Sequence, residues 1–310
     1  MKKLLSLLLL APFVTLAASQ VVYEEDNRKD IYEVTNHLHL ELAKSTAGMI
    51  HVDNFSNTKT KNVFDLDDVS TLETSQNVCP SEKFSEQIVG PVCSGFLVGP
   101  DTIVTAGHCY KSFDHPSSVC AKFAWVFDYD MTSEKHDPSK NISFENIYLC
   151  KQVIAVKLDN NLDYAVIKLD RKVENRKPLQ FRKFEKVQAE KNLVVIGHPS
   201  GLPTKVSDGA RVTNNSQENK FSANLDSFQG NSGSAVFDSE TGLVEGILIQ
   251  GKTDYHPSIP GRPGSCKVVN QCDAKGNNCS AGNEQGPLAF GEVVLRITTA
   301  VSDIEKSLRN

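Results

Sequence analysis

Residues 93–109 read CSGFLVGPDTIVTAGHC: two short apolar runs, joined by the turn string GPD at 99–101 and bracketed by cysteines. Runs this short and this closely joined are antiparallel strands, because parallel neighbours need a crossover of a dozen residues or more. The pattern continues in DYAVIKL (163–169), NLVVIG (192–197), KFSANL (220–225), SAVF (234–237), LVEGILIQG (243–251) and GEVVLRI (291–297). Turn signals such as DSETG at 238–242 lie between them. Close spacing of this kind predicts an all-β barrel or sandwich and argues against βαβ units.

Other segments read differently. A first strand is expected around ELAKSTAGMIHV (41–52), and the polar, turn-rich stretch 52–78 reads as a loop or insertion. A second insertion, 252–287, is rich in Gly, Pro and Asn and holds three cysteines, which tie down a segment too polar to order itself by burial. Only TTAVSDIEKSLRN (298–310) looks helical. Ala300, Val301, Ile304 and Leu308 share one face, so this helix is expected to pack on the last strand.

The first nineteen residues, MKKLLSLLLLAPFVTLAAS, place two lysines before an apolar run too short to span a bilayer and end in small residues. This is a signal peptide, cleaved after Ser19 with Ala17 and Ala18 as alternatives. No lipid-accepting cysteine follows, so a secreted or periplasmic product without membrane anchor is expected. Losing Lys2 and Lys3 takes the net charge from −5 to −7, and no basic run compensates. Nucleic acid and anionic membrane are therefore poor partners. All eight cysteines fall in the exported part, where disulfides persist. Cys266, Cys272 and Cys279 are separated by five and six residues with no CxxC or HxxxH, so neither a metal nor another cofactor is expected.

Acyl transfer to water needs a nucleophile, a base, a group that orients the base, and donors for the oxyanion. TIVTAGHC (102–109) puts His108 just after an apolar strand, and NNLDYAVIKL (160–169) puts Asp163 at the head of another. QGNSGS (229–234) sets Ser232 between glycines, where a tight turn lets the N–H groups of Gly230 and Ser232 point at one spot. Singly these strings are weak. Together they arrive in the order His, Asp, Ser, one of the known orders for this constellation.

At these three motifs the chain resembles the trypsin-like (chymotrypsin-fold) serine peptidases, and more narrowly the bacterial branch that contains the glutamyl endopeptidases. EEDNRKDIYEV at 24–34 resembles the mature amino-terminal segment of that branch, while the resemblance is thin over 52–78 and 252–287. It implies a single peptidase domain over 20–310: two packed antiparallel β-barrels (30–175 and 180–298) and a short carboxy-terminal helix (299–309). His108 as general base, Asp163 as its orienting partner and Ser232 as nucleophile would hydrolyse protein or peptide substrates in the cleft between the barrels.

Spacing pairs Cys93 with Cys109 across the hairpin, like the family's histidine-loop bridge, and Cys120 with Cys150 across one polar excursion. Cys79, Cys266, Cys272 and Cys279 admit three pairings. The string DSFQGNSG (226–233) keeps the opening of trypsin-like primary pockets, so Asp226, with Ser227 and Gly251, is expected to line the pocket and select Arg or Lys before the scissile bond. Two departures matter. Asn231 stands where animal relatives carry an activation aspartate, which implies that the terminus made by signal cleavage is close to the working one. Leu248 stands where glutamyl-specific relatives carry a carboxylate-binding histidine, which weakens the alternative of cleavage after Glu. A catalytically silent binding protein on the same fold is the competing class. The remaining histidines (37, 39, 51, 115, 136 and 256) read as surface residues, and His198 in IGHPSG (196–201) as a turn residue.

Overall fold

The computed structural model describes residues 22–111, 115–283, 285 and 289–309. The expected signal segment, 1–19, lies outside the described residues. Six strands form the first barrel: β1 (Thr46–His51), β2 (Cys93–Gly99), β3 (Thr102–Thr105), β4 (Phe123–Phe127), β5 (Ile147–Leu158) and β6 (Asp163–Leu169). They close in the order β4–β5–β6–β3–β2–β1 and back to β4, every neighbour antiparallel. The second barrel uses β7 (Asn192–Gly197), β8 (Lys205–Asn214), β9 (Lys220–Ala223), β10 (Ala235–Asp238), β11 (Val244–Gln250) and β12 (Glu292–Arg296). Its order is β7–β10–β11–β12–β9–β8, closed by β8 on β7, and Arg28–Asp30 adds to the free side of β8.

Side chains of successive strand residues point to opposite faces, and in the second barrel both faces are apolar. Leu193 and Val195, Val236, Leu248 and Val294 fill the barrel's own interior. Their neighbours Val194 and Ile196, Ala235 and Phe237, Ile247 and Ile249, Val293 and Leu295 join the larger core around Phe96 and Trp125 of the first barrel. This is why those strands read as continuous apolar runs. Each buried Val, Leu, Ile or Phe among them contributes about 1.5–3 kcal/mol, so the shared layer holds the two barrels in fixed register and fixes the cleft between them.

Three strands escape a pattern search. β5 is bulged at Cys150/Gln152 and Val153/Ala155, and β8 at two further points. Each extra residue flips the inward and outward faces, so period two is lost. β4, FAWVF, is buried at every position and shows no alternation at all.

Several expectations change. The stretch 41–52 is not one strand: Asn36 Oδ1 accepts from the Leu38 amide and caps a helix over His37–Ala43, and β1 follows. That helix buries His39, which is not a surface residue. The stretch 52–78 is ordered, with Phe55–Asn57, Val63–Leu66 and Ile142–Ser143 forming a small sheet and Ser70–Thr71 pairing with Ile88–Val89 ahead of a helix at Leu72–Gln76. The carboxy-terminal helix, Val301–Arg309, docks on the first barrel and not on β12. Tyr164 donates to Asp303 (2.8 Å), Thr102 Oγ1 lies 2.9 Å from Ser307 Oγ, and Lys168 donates to the Ser307 carbonyl. Those hydroxyl partners turn Ser307 inward beside Ile304 and leave Leu308 41% exposed.

All eight cysteines pair. Cys93–Cys109 and Cys120–Cys150 form as expected, and the undecided four resolve as Cys79–Cys266 and Cys272–Cys279. Cys79–Cys266 joins the two insertions. No helix among the described residues is long and apolar enough to cross a membrane.

Candidate active site

β3 ends at Thr105, and two residues later the chain turns into a short helix that begins at His108. The turn is possible because residue 107 is glycine: a Cβ there would come within 2.1 Å of the Lys157 carbonyl. The Cys93–Cys109 bridge pins the far side. Asp163, the first residue of β6, meets His108 twice. Its Oδ1 accepts from the His108 amide (2.9 Å) and its Oδ2 lies 2.8 Å from Nδ1. Asp163 is only 9% exposed, so the contact selects the tautomer with the proton on Nδ1 and leaves Nε2 as a base.

Ser232 sits in a tight loop between Phe228 and Ser234. Asn231 N donates to the Phe228 carbonyl and Ser234 N to the Asn231 carbonyl. Gly230 and Gly233 have φ of +95° and +88°, and a Cβ at either would strike backbone, the His198 carbonyl in one case and the Ser94 carbonyl in the other. The loop is held against the first barrel by Ser94 of β2, whose amide donates to the Ser232 carbonyl (2.9 Å) and whose hydroxyl donates to the Gly230 carbonyl (2.8 Å). Cys109 Sγ lies 3.8 Å from the same Ser232 carbonyl. These contacts set Ser232 beside the helix that carries His108. The Gln229 carbonyl accepts from Ser200 N, and in a trans peptide this turns the Gly230 N–H the opposite way. Neither the Gly230 nor the Ser232 amide donates to another described residue.

Next to Ser232 is a cavity of ≈340 Å³, lined among others by Ser227, Leu248, Gln250, Gly251 and Lys252, with Asp254 also on its wall. Ser227 and Gly251, which the sequence put in the primary pocket, both line this cavity. Asp226 does not line it. Its Oδ1 accepts from Tyr23 N (2.8 Å) and its Oδ2 from Asn27 N (2.9 Å), so the carboxyl faces the amino-terminal segment. Burial pushes it up to about 7 against those two donors. The same segment supports the loop from below, where the buried Arg28 guanidinium pairs with Asp26 and lies over the Phe228 ring at 4.1 Å.

Behind the cavity wall stands a further acid, one that sequence reasoning passed over. Glu292, fully buried at the head of β12, accepts from Ser227 Oγ (3.1 Å), Lys252 N (3.2 Å) and Tyr23 Oη (2.9 Å). A Cβ on Gly251 would come within 2.3 Å of its Oε2. Burial pushes this carboxyl up to about 8. Its signal was present in GEVVLRI, an acid opening an otherwise apolar strand. Ser94 and Lys252 carried no comparable signal. His198 is fully buried outside the cavity, its Nδ1 3.1 Å from the Leu202 carbonyl, and burial depresses it to about 4.

The family model of the trypsin-like peptidase domain matches residues 93–247, half of the chain, from the hairpin through His108 and Ser232 to β11. The chain belongs to the trypsin-like peptidases. It is a serine endopeptidase, a hydrolase of protein or peptide substrates. Among solved structures this peptidase is similar to a Glu endopeptidase in complex with MPD (TM-score 0.52, 15% identity, 93% of this chain and 100% of that chain). It is also similar to the VesB protease of Vibrio cholerae (TM-score 0.50, 13% identity, 90% of this chain and 66% of that chain). At such identities the likeness is one of fold. A search of curated proteins finds no match.

Proposed function

We propose that this peptidase cleaves peptide bonds with His108, Asp163 and Ser232 as its catalytic triad, the Gly230 and Ser232 amides binding the oxyanion. The observation that carries the reading is the double contact of Asp163 with His108. Ser232 does not ionise usefully at neutral pH, so His108 takes its proton as Oγ attacks and returns it to the leaving amine. Asp163 holds the ring and stabilises the imidazolium. Ser232→Ala and His108→Ala should each lower kcat by about four to six orders of magnitude, the residue of activity coming from the oxyanion donors and binding. Near-normal turnover by purified Ser232→Ala would sink the assignment.

The preferred residue before the scissile bond is Arg or Lys, with Glu292 as the carrier in place of Asp226. Glu292 lies directly behind the wall made by Ser227, Gly251 and Lys252, and a cation in the cavity draws its proton off and pairs with the carboxylate. One observation favours a second reading: Lys252 is among the residues that line the same cavity, and its charge would suit Glu. A cleavage profile decides between them. Four disulfides fit work in an oxidising compartment, outside the cytoplasm.

A further inference from the structure

Gly230, whose amide is one of the two assigned to the oxyanion, has φ of +95°. Glycine visits many backbone conformations at little steric cost, so nothing within the residue keeps its N–H aimed beside Ser232. What keeps it there lies outside. The Gln229 carbonyl on its amino side accepts from Ser200 N, and the Gly230 carbonyl on its carboxy side accepts from Ser94 Oγ (2.8 Å). A trans peptide is planar and stiff, so holding both carbonyls fixes the two planes that meet at Gly230. The direction of its N–H follows.

Of these two holds, one is a backbone amide and the other a side chain. The Ser94 hydroxyl has a single proton to give, and its oxygen accepts from His198 N (2.9 Å), which directs that proton to the Gly230 carbonyl. Ser94 is fully buried, so water does not compete. Its backbone is fixed separately: Ser94 N donates to the Ser232 carbonyl, and the Ser94 carbonyl accepts from Thr105 Oγ1 (2.7 Å).

The His198 amide is held in turn at the end of β7. Gly197 precedes it, where a Cβ would come within 1.9 Å of Ser234 Oγ and 2.7 Å of Asn231 Oδ1, and Ser234 Oγ donates to Asn231 Oδ1 (3.3 Å). Asn231 and Ser234 are both buried. Burial depresses His198 to about 4, so at neutral pH the relay that reaches Gly230 through His198 and Ser94 carries no charge.

We propose that Ser94 is a positioning residue for peptide hydrolysis: its hydroxyl, directed by the His198 amide, holds the Gly230 peptide so that the Gly230 N–H meets the oxyanion. Ser94 is not among the residues that line the cavity beside Ser232. Its effect therefore falls on the transition state, where charge develops on the carbonyl oxygen, and not on the binding of the substrate's side chains.

The inference rests on Ser232 being the nucleophile, and its test separates the two. Ser94→Ala and Ser94→Gly both remove the hydroxyl and keep the backbone contact with Ser232. Each should lower kcat on a peptide anilide about tenfold to a hundredfold with KM within about twofold of wild type. A matched pair of inhibitors reads the donor itself. A peptide aldehyde places an oxyanion in the hole when Ser232 adds to its carbonyl, whereas the corresponding peptide alcohol fills the cleft without one. In both variants Ki for the aldehyde should rise about tenfold or more and Ki for the alcohol should stay within about twofold. Because Ki does not depend on the fraction of folded enzyme, partial misfolding does not mimic this split. Thr105→Val removes a buried hydrogen bond from the Ser94 carbonyl and serves as the structural control: the melting temperature should fall and the aldehyde-to-alcohol ratio should not move. Unchanged kcat in Ser94→Ala, equal losses of aldehyde and alcohol affinity, the same split in Thr105→Val, or no cooperative melt in either Ser94 variant overturns the positioning role and leaves the triad intact. Equal cutting by wild type and Ser232→Ala, or a wild type that binds aldehyde no better than alcohol, overturns the nucleophile and the positioning role with it.

Discussion

Asp226 and Tyr23 lie 203 residues apart, yet the Tyr23 amide donates to Asp226 Oδ1 over 2.8 Å. With Asn27 on the other oxygen and Arg28 stacked on Phe228, residues 22–28 form the underside of the loop that presents Gly230 and Ser232. Tyr23 reaches further, its hydroxyl donating to Glu292 behind the primary cavity.

Asp226→Ala leaves the buried Tyr23 amide and the half-buried Asn27 amide without their acceptor, and a buried group left unpaired costs about 1–3 kcal/mol. The expected outcome is a lower urea midpoint and a proportionate fall in kcat/KM for Arg, Lys and Phe substrates alike. Protein beginning at Ile31, which lacks the whole segment, should behave similarly. A loss confined to Arg and Lys substrates, with unchanged stability, would return Asp226 to the pocket.

Glu292→Gln keeps the shape and removes the charge. Breaking a buried pair costs about 3–5 kcal/mol, so kcat/KM for Lys and Arg substrates should fall about a hundredfold or more relative to Phe. Anilides differing only in that residue measure it. If Lys and Arg substrates are untouched, and Glu substrates are cut best by wild type, Lys252 determines the preference.

The hairpin, the apolar strands of the second barrel and the tight glycine-flanked loop at Ser232 were legible because each depends on local pattern: apolar runs of strand length, a turn string, glycines beside a serine. Asp226 misled because its neighbours in sequence match a pocket, whereas its partners Tyr23 and Asn27 come from the other end of the chain. Glu292 showed in the sequence as an acid opening an apolar run, but its place behind Gly251 depends on folding, which alone brings β12 there. The helix at 301–309 was legible as a helix, but its buried face runs through Ile304 and Ser307 and leaves out Leu308. Its docking surface was set by hydroxyls, Tyr164 and Thr102, that periodicity does not weigh.

Burial pushes Glu292 up to about 8 and Asp226 up to about 7. Between the ordinary carboxyl range and those values the folded protein holds more protons than the unfolded chain, so stability is lost as pH rises through that window. Melting temperature should fall from pH 5 to pH 8 and level off above, and Glu292→Gln should remove the upper part of the fall. Thermal melts across that range check it, and a wild-type curve that rises would contradict the burial of these carboxyls in neutral form.

Cys79–Cys266 closes a loop of 187 residues in sequence separation. On the chain-entropy argument it contributes about 5 kcal/mol. Cys79→Ser with Cys266→Ser should lower the denaturant midpoint. Denaturant titration of the double variant beside wild type measures the loss.

The claim that Ser232 is the nucleophile, activated by His108, is tested most directly by an active-site-directed fluorophosphonate followed by peptide mass mapping. The account predicts stoichiometric modification of Ser232 in the wild-type protein, strong suppression in His108→Ala, and none in Ser232→Ala. Modification of another serine, or a folded wild-type protein that takes up no label, would contradict it.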